Sequence, residues 1–108
     1  MACAAAIATW DIATDPATMA ETLSKGEHLR TLALAIKARH PGRLIEVRGR
    51  GMLFGLELDT GAADVLARCR SNGLLVNLAG EKTVRFAPSY LVTREQLGEG
   101  LAIFEASL

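Results

Sequence analysis

Hydrophobic positions along the chain follow two different periods. From Ala2 to Ala13 almost every residue is apolar ("ACAAAIATWDIA"), and strong helix formers dominate, so a helix is predicted there. A helix that is apolar all round calls for burial on all sides. "TDPAT" then marks a fresh start, with Asp15 suited to an N-cap and Pro16 to the first helical position. Met19, Leu23, Leu29, Leu32 and Ile36 share one face at helical spacing, and Gly26 lies on the same side, where it would permit close packing. "RHPG" at 39–42 ends this helix.

The period then drops to two. In "RLIEVRGRGMLFGLELD", Met52, Phe54, Leu56 and Leu58 alternate with Leu53, Gly55 and Glu57, which predicts two strands joined by a tight glycine turn near Gly49 and Gly51. Gly55 in mid-strand predicts a bulge or a close backbone approach. Residues 61–72 form a third helix with Ala62, Val65, Leu66 and Cys69 as its apolar stripe, closed by Gly73. "LLVNL", a turn at "AGEK" and "TVRFA" ending at Pro88 give two short strands. The final helix opens with a capping box at Thr93 and Gln96 and a staple at Val92 and Leu97; Leu97, Leu101, Phe104 and Leu108 line one face. The order α-α-β-β-α-β-β-α implies an α+β fold, with helices packed on one face of a small, mostly antiparallel sheet.

A chain of 108 residues supports one domain with one core. Half the residues are apolar and 22% are charged, a globular composition. With a formal net charge of zero, nothing in the charge balance calls for nucleic acid or an anionic membrane as partner. No apolar run reaches the ~20 residues of a membrane span. The opening "MACAAAIATW" lacks the basic start of a signal peptide, so a cytoplasmic location is expected. Cys3 and Cys69 are too few for a disulfide framework and read as reduced thiols.

Candidate chemistry is sparse. Gly49, Gly51 and Gly55 miss the G-x-G-x-x-G spacing and precede a strand, so they lack the helix N-terminus that a phosphate loop needs. His28 and His40 have no Asp, Glu or Cys at a ligand spacing, and read as surface or helix-end residues rather than metal ligands. No serine or cysteine has a base partner in sequence, and Trp10 and Tyr90 are isolated. Arg85 remains, in the middle of an apolar strand where it is expected to be buried or half-buried. Its planar fork could grip a small carboxylate with two parallel hydrogen bonds. From spacing alone, a structural salt bridge to a carboxylate such as Glu57 or Glu81 is the reading favoured, because most arginines are surface or structural.

Taken together, "ACAAAIATWDI", "HPGRLIEVRGRGMLFGLEL", "GLLVNLAGEKTVRFAP" and "LVTREQL" resemble the C-terminal region of class III pyridoxal-phosphate aminotransferases. Within that class they look most like the acetylornithine enzymes, with ornithine and other ω-amino-acid aminotransferases as alternatives. The resemblance implies the small domain of a fold type I enzyme at 16–108, and at 1–15 an apolar helix that would pack on a large domain. It implies that Arg85 holds the substrate α-carboxylate. It also implies that the Schiff-base lysine, the aspartate on the pyridine nitrogen and the phosphate loop lie upstream of this segment, since Lys25, Lys37 and Lys82 do not stand in the family's lysine motif. Pyridoxal phosphate is therefore expected in the complete enzyme and not on this chain alone, which is expected to be inactive by itself. The implied partners are a large domain, a full-length aminotransferase subunit, or a second copy of the chain.

Overall fold

In the computed structural model, which describes residues 1–108, helix α1 (Ala2–Ala13) precedes the long helix α2 (Pro16–Arg39). The Asp15 side chain accepts the Thr18 backbone N–H at 3.0 Å and caps α2, with Pro16 in its first turn. The hairpin strands β1 (Leu44–Arg50) and β2 (Leu53–Leu58) follow, then α3 (Ala62–Ser71), β3 (Asn77–Ala79), β4 (Thr83–Phe86) and α4 (Arg94–Ala106). Thr93 and Gln96 close the expected capping box on α4, with the Thr93 hydroxyl accepting at 3.1 Å and the Gln96 side chain at 3.0 Å.

The four strands form one sheet in the order β1-β2-β4-β3, antiparallel at every pairing. One face is apolar. Phe54 is opposite Phe86 and Leu56 opposite Val84, and all four are buried against the helices. There they meet Leu29, Ala33 and Ile36 of α2, Val65 and Cys69 of α3, and Leu97, Leu101 and Phe104 of α4. Phe86 and Phe104 meet edge to face with centroids 5.5 Å apart, a geometry worth about 0.5–1.5 kcal/mol beyond the area buried. The other face of the sheet carries no helix.

Two local expectations need correction, the extent of "LLVNL" and the burial of Met19 and Leu23. "LLVNL" is not strand throughout, because β3 begins only at Asn77. Residues 73 and 74 instead close α3: Gly73, at φ +89°, donates to the Arg70 carbonyl, and Leu74 donates to that of Cys69, a Schellman arrangement. The bulge falls in β1 between Leu44 and Glu46 rather than at Gly55. At Gly55 the sheet is regular, and a Cβ there would lie 2.9 Å from Thr83 Cγ2, so close approach explains the glycine. Met19 and Leu23 are exposed although they share a sequence stripe with Leu29 and Ile36. The first half of α2 overhangs the sheet in a molecule measuring 46 × 26 × 22 Å. As expected for an apolar helix with no cover in this chain, α1 buries none of its residues here.

Candidate functional site on the open sheet face

Arg85 lies on β4, between Val84 and Phe86, which both point into the core. Strand alternation therefore turns its side chain to the open face, where it is exposed, not buried or half-buried as its apolar neighbours implied. In register it has Gly55 on one side and Asn77 on the other. Gly55 presents no side chain and Asn77 a short one, so the space above Arg85 stays open. A shallow depression of about 270 Å³ opens here, lined by Arg48, Leu53, Gly55, Ala79, Thr83 and Arg85 among others.

Neither structural salt bridge considered for Arg85 is formed. The chain's ion pairs are Arg39–Glu105, His40–Glu105, Arg43–Asp59, Arg48–Glu46, Arg48–Glu57 and Arg94–Glu21. Glu57 is thus taken by Arg48, at 2.5 Å, and Glu46 by the same Nη1 atom at 2.8 Å. Arg48 Nη2 donates to the Thr83 hydroxyl at 2.9 Å. These bonds, Glu57 first and Glu46 second, hold the Arg48 guanidinium above its ordinary pKa. The depression therefore contains one arginine paired with the protein's own acceptors and one that is not.

Arg48 is not among the residues that the sequence singles out. Its partners stand two and nine residues away, and only the hairpin register brings Glu57 beside it. Charged residues at every second position, Glu46, Arg48 and Arg50 on one strand, with Glu57 on the next, are the available signal. The histidines keep clear of this site. His40 ends α2 and pairs with Glu105 at 2.9 Å, a partner supplied by tertiary packing rather than by spacing. No cluster of His, Cys, Asp and Glu forms that could hold a metal ion. A more enclosed hollow of about 160 Å³ lies on the helix side, between Leu29, Leu74, Phe86 and Leu97; no ionisable side chain lines it.

No lysine and no free carboxylate lines the Arg85 depression. Lys25 is tied to the Tyr90 carbonyl at 2.9 Å. What the arrangement offers chemically is an exposed, unpartnered guanidinium on a hydrogen-bonded sheet, suited to a planar anion such as a carboxylate.

Comparison with known proteins agrees in sequence and in shape. The family model described as Aminotransferase class-III matches residues 1–108. The acetylornithine aminotransferase of Myxococcus xanthus is 42% identical over 98 residues, covering 90% of this chain and 24% of that protein. The mitochondrial acetylornithine aminotransferase of Candida glabrata is 36% identical over 108 residues, covering 100% and 25%. Among solved structures, the N-acetylornithine aminotransferase from Stenotrophomonas maltophilia K279a superimposes with a TM-score of 0.78 at 30% identity, over 86% of this chain and 26% of that one. The acetylornithine aminotransferase from Elizabethkingia anophelis gives 0.85 at 26% identity, over 98% and 27%. The chain thus spans about a quarter of the length of these relatives.

Proposed function

The chain belongs to the class III aminotransferases, and we propose that it serves as the substrate-carboxylate-binding part of an acetylornithine-aminotransferase-like enzyme. The observation that carries this reading is the unpartnered Arg85 guanidinium, opposite Gly55 on the open sheet face. In the complete enzyme the reaction would move an amino group between N-acetylornithine and 2-oxoglutarate. Pyridoxal phosphate, when bound, supplies the carbanion chemistry. The residues present do not fit that group: beside Arg85 there is no lysine to hold its aldehyde carbon and no free carboxylate to face its ring nitrogen. The role proposed for this chain is therefore to bind and orient. Arg85 grips the α-carboxylate in two parallel hydrogen bonds, and the flat backing at Gly55 lets the substrate approach the sheet. By itself the chain is proposed to be inactive.

Two experiments test this. Residues 1–108 replace the matching segment of the Myxococcus xanthus enzyme, and the chimera is compared with its Arg85→Gln and Arg85→Lys forms. A hydrogen bond to a charged group contributes about 1.5–3 kcal/mol, so losing two should cut kcat/KM for N-acetylornithine by roughly 10²-fold or more. Lysine, lacking the fork, should rescue only in part. An Arg85→Gln chimera with unchanged kcat/KM overturns the role. Separately, the pure chain with pyridoxal phosphate, N-acetylornithine and 2-oxoglutarate should form no glutamate; turnover would mean that Lys25, Lys37 or Lys82 has been recruited.

A second reading is favoured by α1. Ile7, Trp10 and Ile12 are 60–69% exposed on it. Exposed Met19, Leu23 and Tyr90 continue the apolar surface around a depression that reaches Ala13. Such a patch marks an interaction surface. In this reading the chain associates with itself or docks on a full-length aminotransferase subunit or its large domain. A monodisperse monomer by size-exclusion mass, unchanged when a full-length aminotransferase is added, would exclude it.

A further inference from the structure

Arg48 and Arg85 are Cα partners of the same residue, Gly55, one from each neighbouring strand. They share one depression but differ in what surrounds them. Glu46 and Glu57 face each other directly across β1 and β2, a like-charge pairing that is unfavourable unless bridged. Arg48 bridges it, with Nη1 on both carboxylates and Nη2 on Thr83. Glu57 is in turn the Cα partner of Thr83, two residues from Arg85 along β4. Diagonal cross-strand neighbours lie about 7–8 Å apart, within reach of long side chains. Glu57 is thus within register of both arginines, and it is Arg48 that holds it.

We propose that Arg48 is a positioning residue: it holds the Glu57 carboxylate away from Arg85 and so keeps the Arg85 guanidinium free for an external carboxylate. This rests on the reading of Arg85 given above. Arg48 acts through Glu57, without touching the ligand. The fork is essential, because one planar group serves two carboxylates and a hydroxyl at once. A lysine ammonium is a compact point charge on a flexible stem and matches that geometry poorly.

The test follows the Arg85 Nε–H signal in the ¹⁵N-labelled 108-residue chain. In Arg48→Gln, Glu57 is released to pair with Arg85, and exchange of the Arg85 Nε–H should slow roughly two- to fivefold, the range of an exposed ion pair. Adding Glu57→Gln should restore the original rate. Adding Glu46→Gln instead should not, although that double variant has the same net charge. Arg48→Lys, which keeps the charge, should move the signal in the same direction by less. An unmoved Arg85 signal in Arg48→Gln overturns the proposal, as does equal rescue by the two double variants, which would leave only bulk charge. If Arg48→Gln does not fold, Arg48→Lys decides on the same criterion. The chimera kinetics of Arg85→Gln are a separate readout, so failure of the Arg85 reading and failure of the Arg48 role are told apart.

Discussion

Gly26 sits in the middle of α2, where glycine is intrinsically unfavourable, yet it is buried against the hairpin turn. A Cβ on Gly26 would lie 2.2 Å from the Gly51 carbonyl oxygen and 2.7 Å from its carbon. The obstacle is backbone, and no rotamer change relieves it; helix and hairpin must separate. Replacing a mid-helix glycine by alanine would alone stabilise by about 0.5–1 kcal/mol. Forcing an extra carbon into packed structure costs about 1–3 kcal/mol, and a contact with rigid backbone belongs at the upper end. Gly26→Ala is therefore expected to lose about 2 kcal/mol net, a Tm fall of roughly 10 °C for a domain of this size. Gly98 in α4 is the matched control, because a Cβ there meets nothing within 4 Å; Gly98→Ala should gain up to about 1 kcal/mol. Urea titrations followed by circular dichroism measure both. If Gly26→Ala is as stable as the parent, or if both variants move in the same direction, the close-packing account of Gly26 is wrong.

Two further outcomes are expected. Glu105 receives hydrogen bonds from Arg39 at 2.7 Å and from His40 at 2.9 Å, and the Arg39 bonds lead in lowering its carboxyl from 4.5 to about 2. A depressed carboxylate contributes stability that is complete above 4.5 and is lost as the pH falls toward 2. The stability of Glu105→Gln should accordingly depend less on pH across that window, and high salt should shrink the difference; identical acid titrations of parent and variant would refute it. Cys69 is buried, and burial pushes its thiol up, while Cys3 is exposed. Ellman's reagent should label one thiol quickly and the second only on unfolding, and two equally fast thiols in the native chain would contradict the packing of α3.

Much of the fold was legible because local signals agreed with one another. Asp15–Pro16, Thr93 with Gln96, and Gly73 each mark a helix end by chemistry within a few residues, and each cap forms. Alternation from Met52 to Leu58 assigned the buried face of the hairpin correctly. The stripe on α2 was legible as a stripe but not as a burial pattern. Met19 and Leu23 obey the same periodicity as Leu29 and Ile36, and periodicity does not say how far the sheet extends beneath a helix. Likewise "LLVNL" has the composition of a strand, but its first residue is used to close α3.

The site divides along the same line. Sequence alone could identify Arg85 as the arginine to watch, because its residue type and apolar setting are local facts, and the family resemblance rests on motifs read in order. Whether Arg85 was paired could not be read there. Glu57 and Glu81 are both available to it by residue type, and nothing local marks Arg48 as a competitor for Glu57. Register decided the matter: the β1–β2 pairing brings Arg48 to Glu57, and the β2–β4 pairing leaves Arg85 opposite a glycine. Helix ends, strand alternation and fold class follow from interactions spanning a few residues, which the sequence by itself determines. The exposure of α1, the overhang of α2 and the freedom of one guanidinium depend on which distant segments meet, and only the tertiary structure decides that.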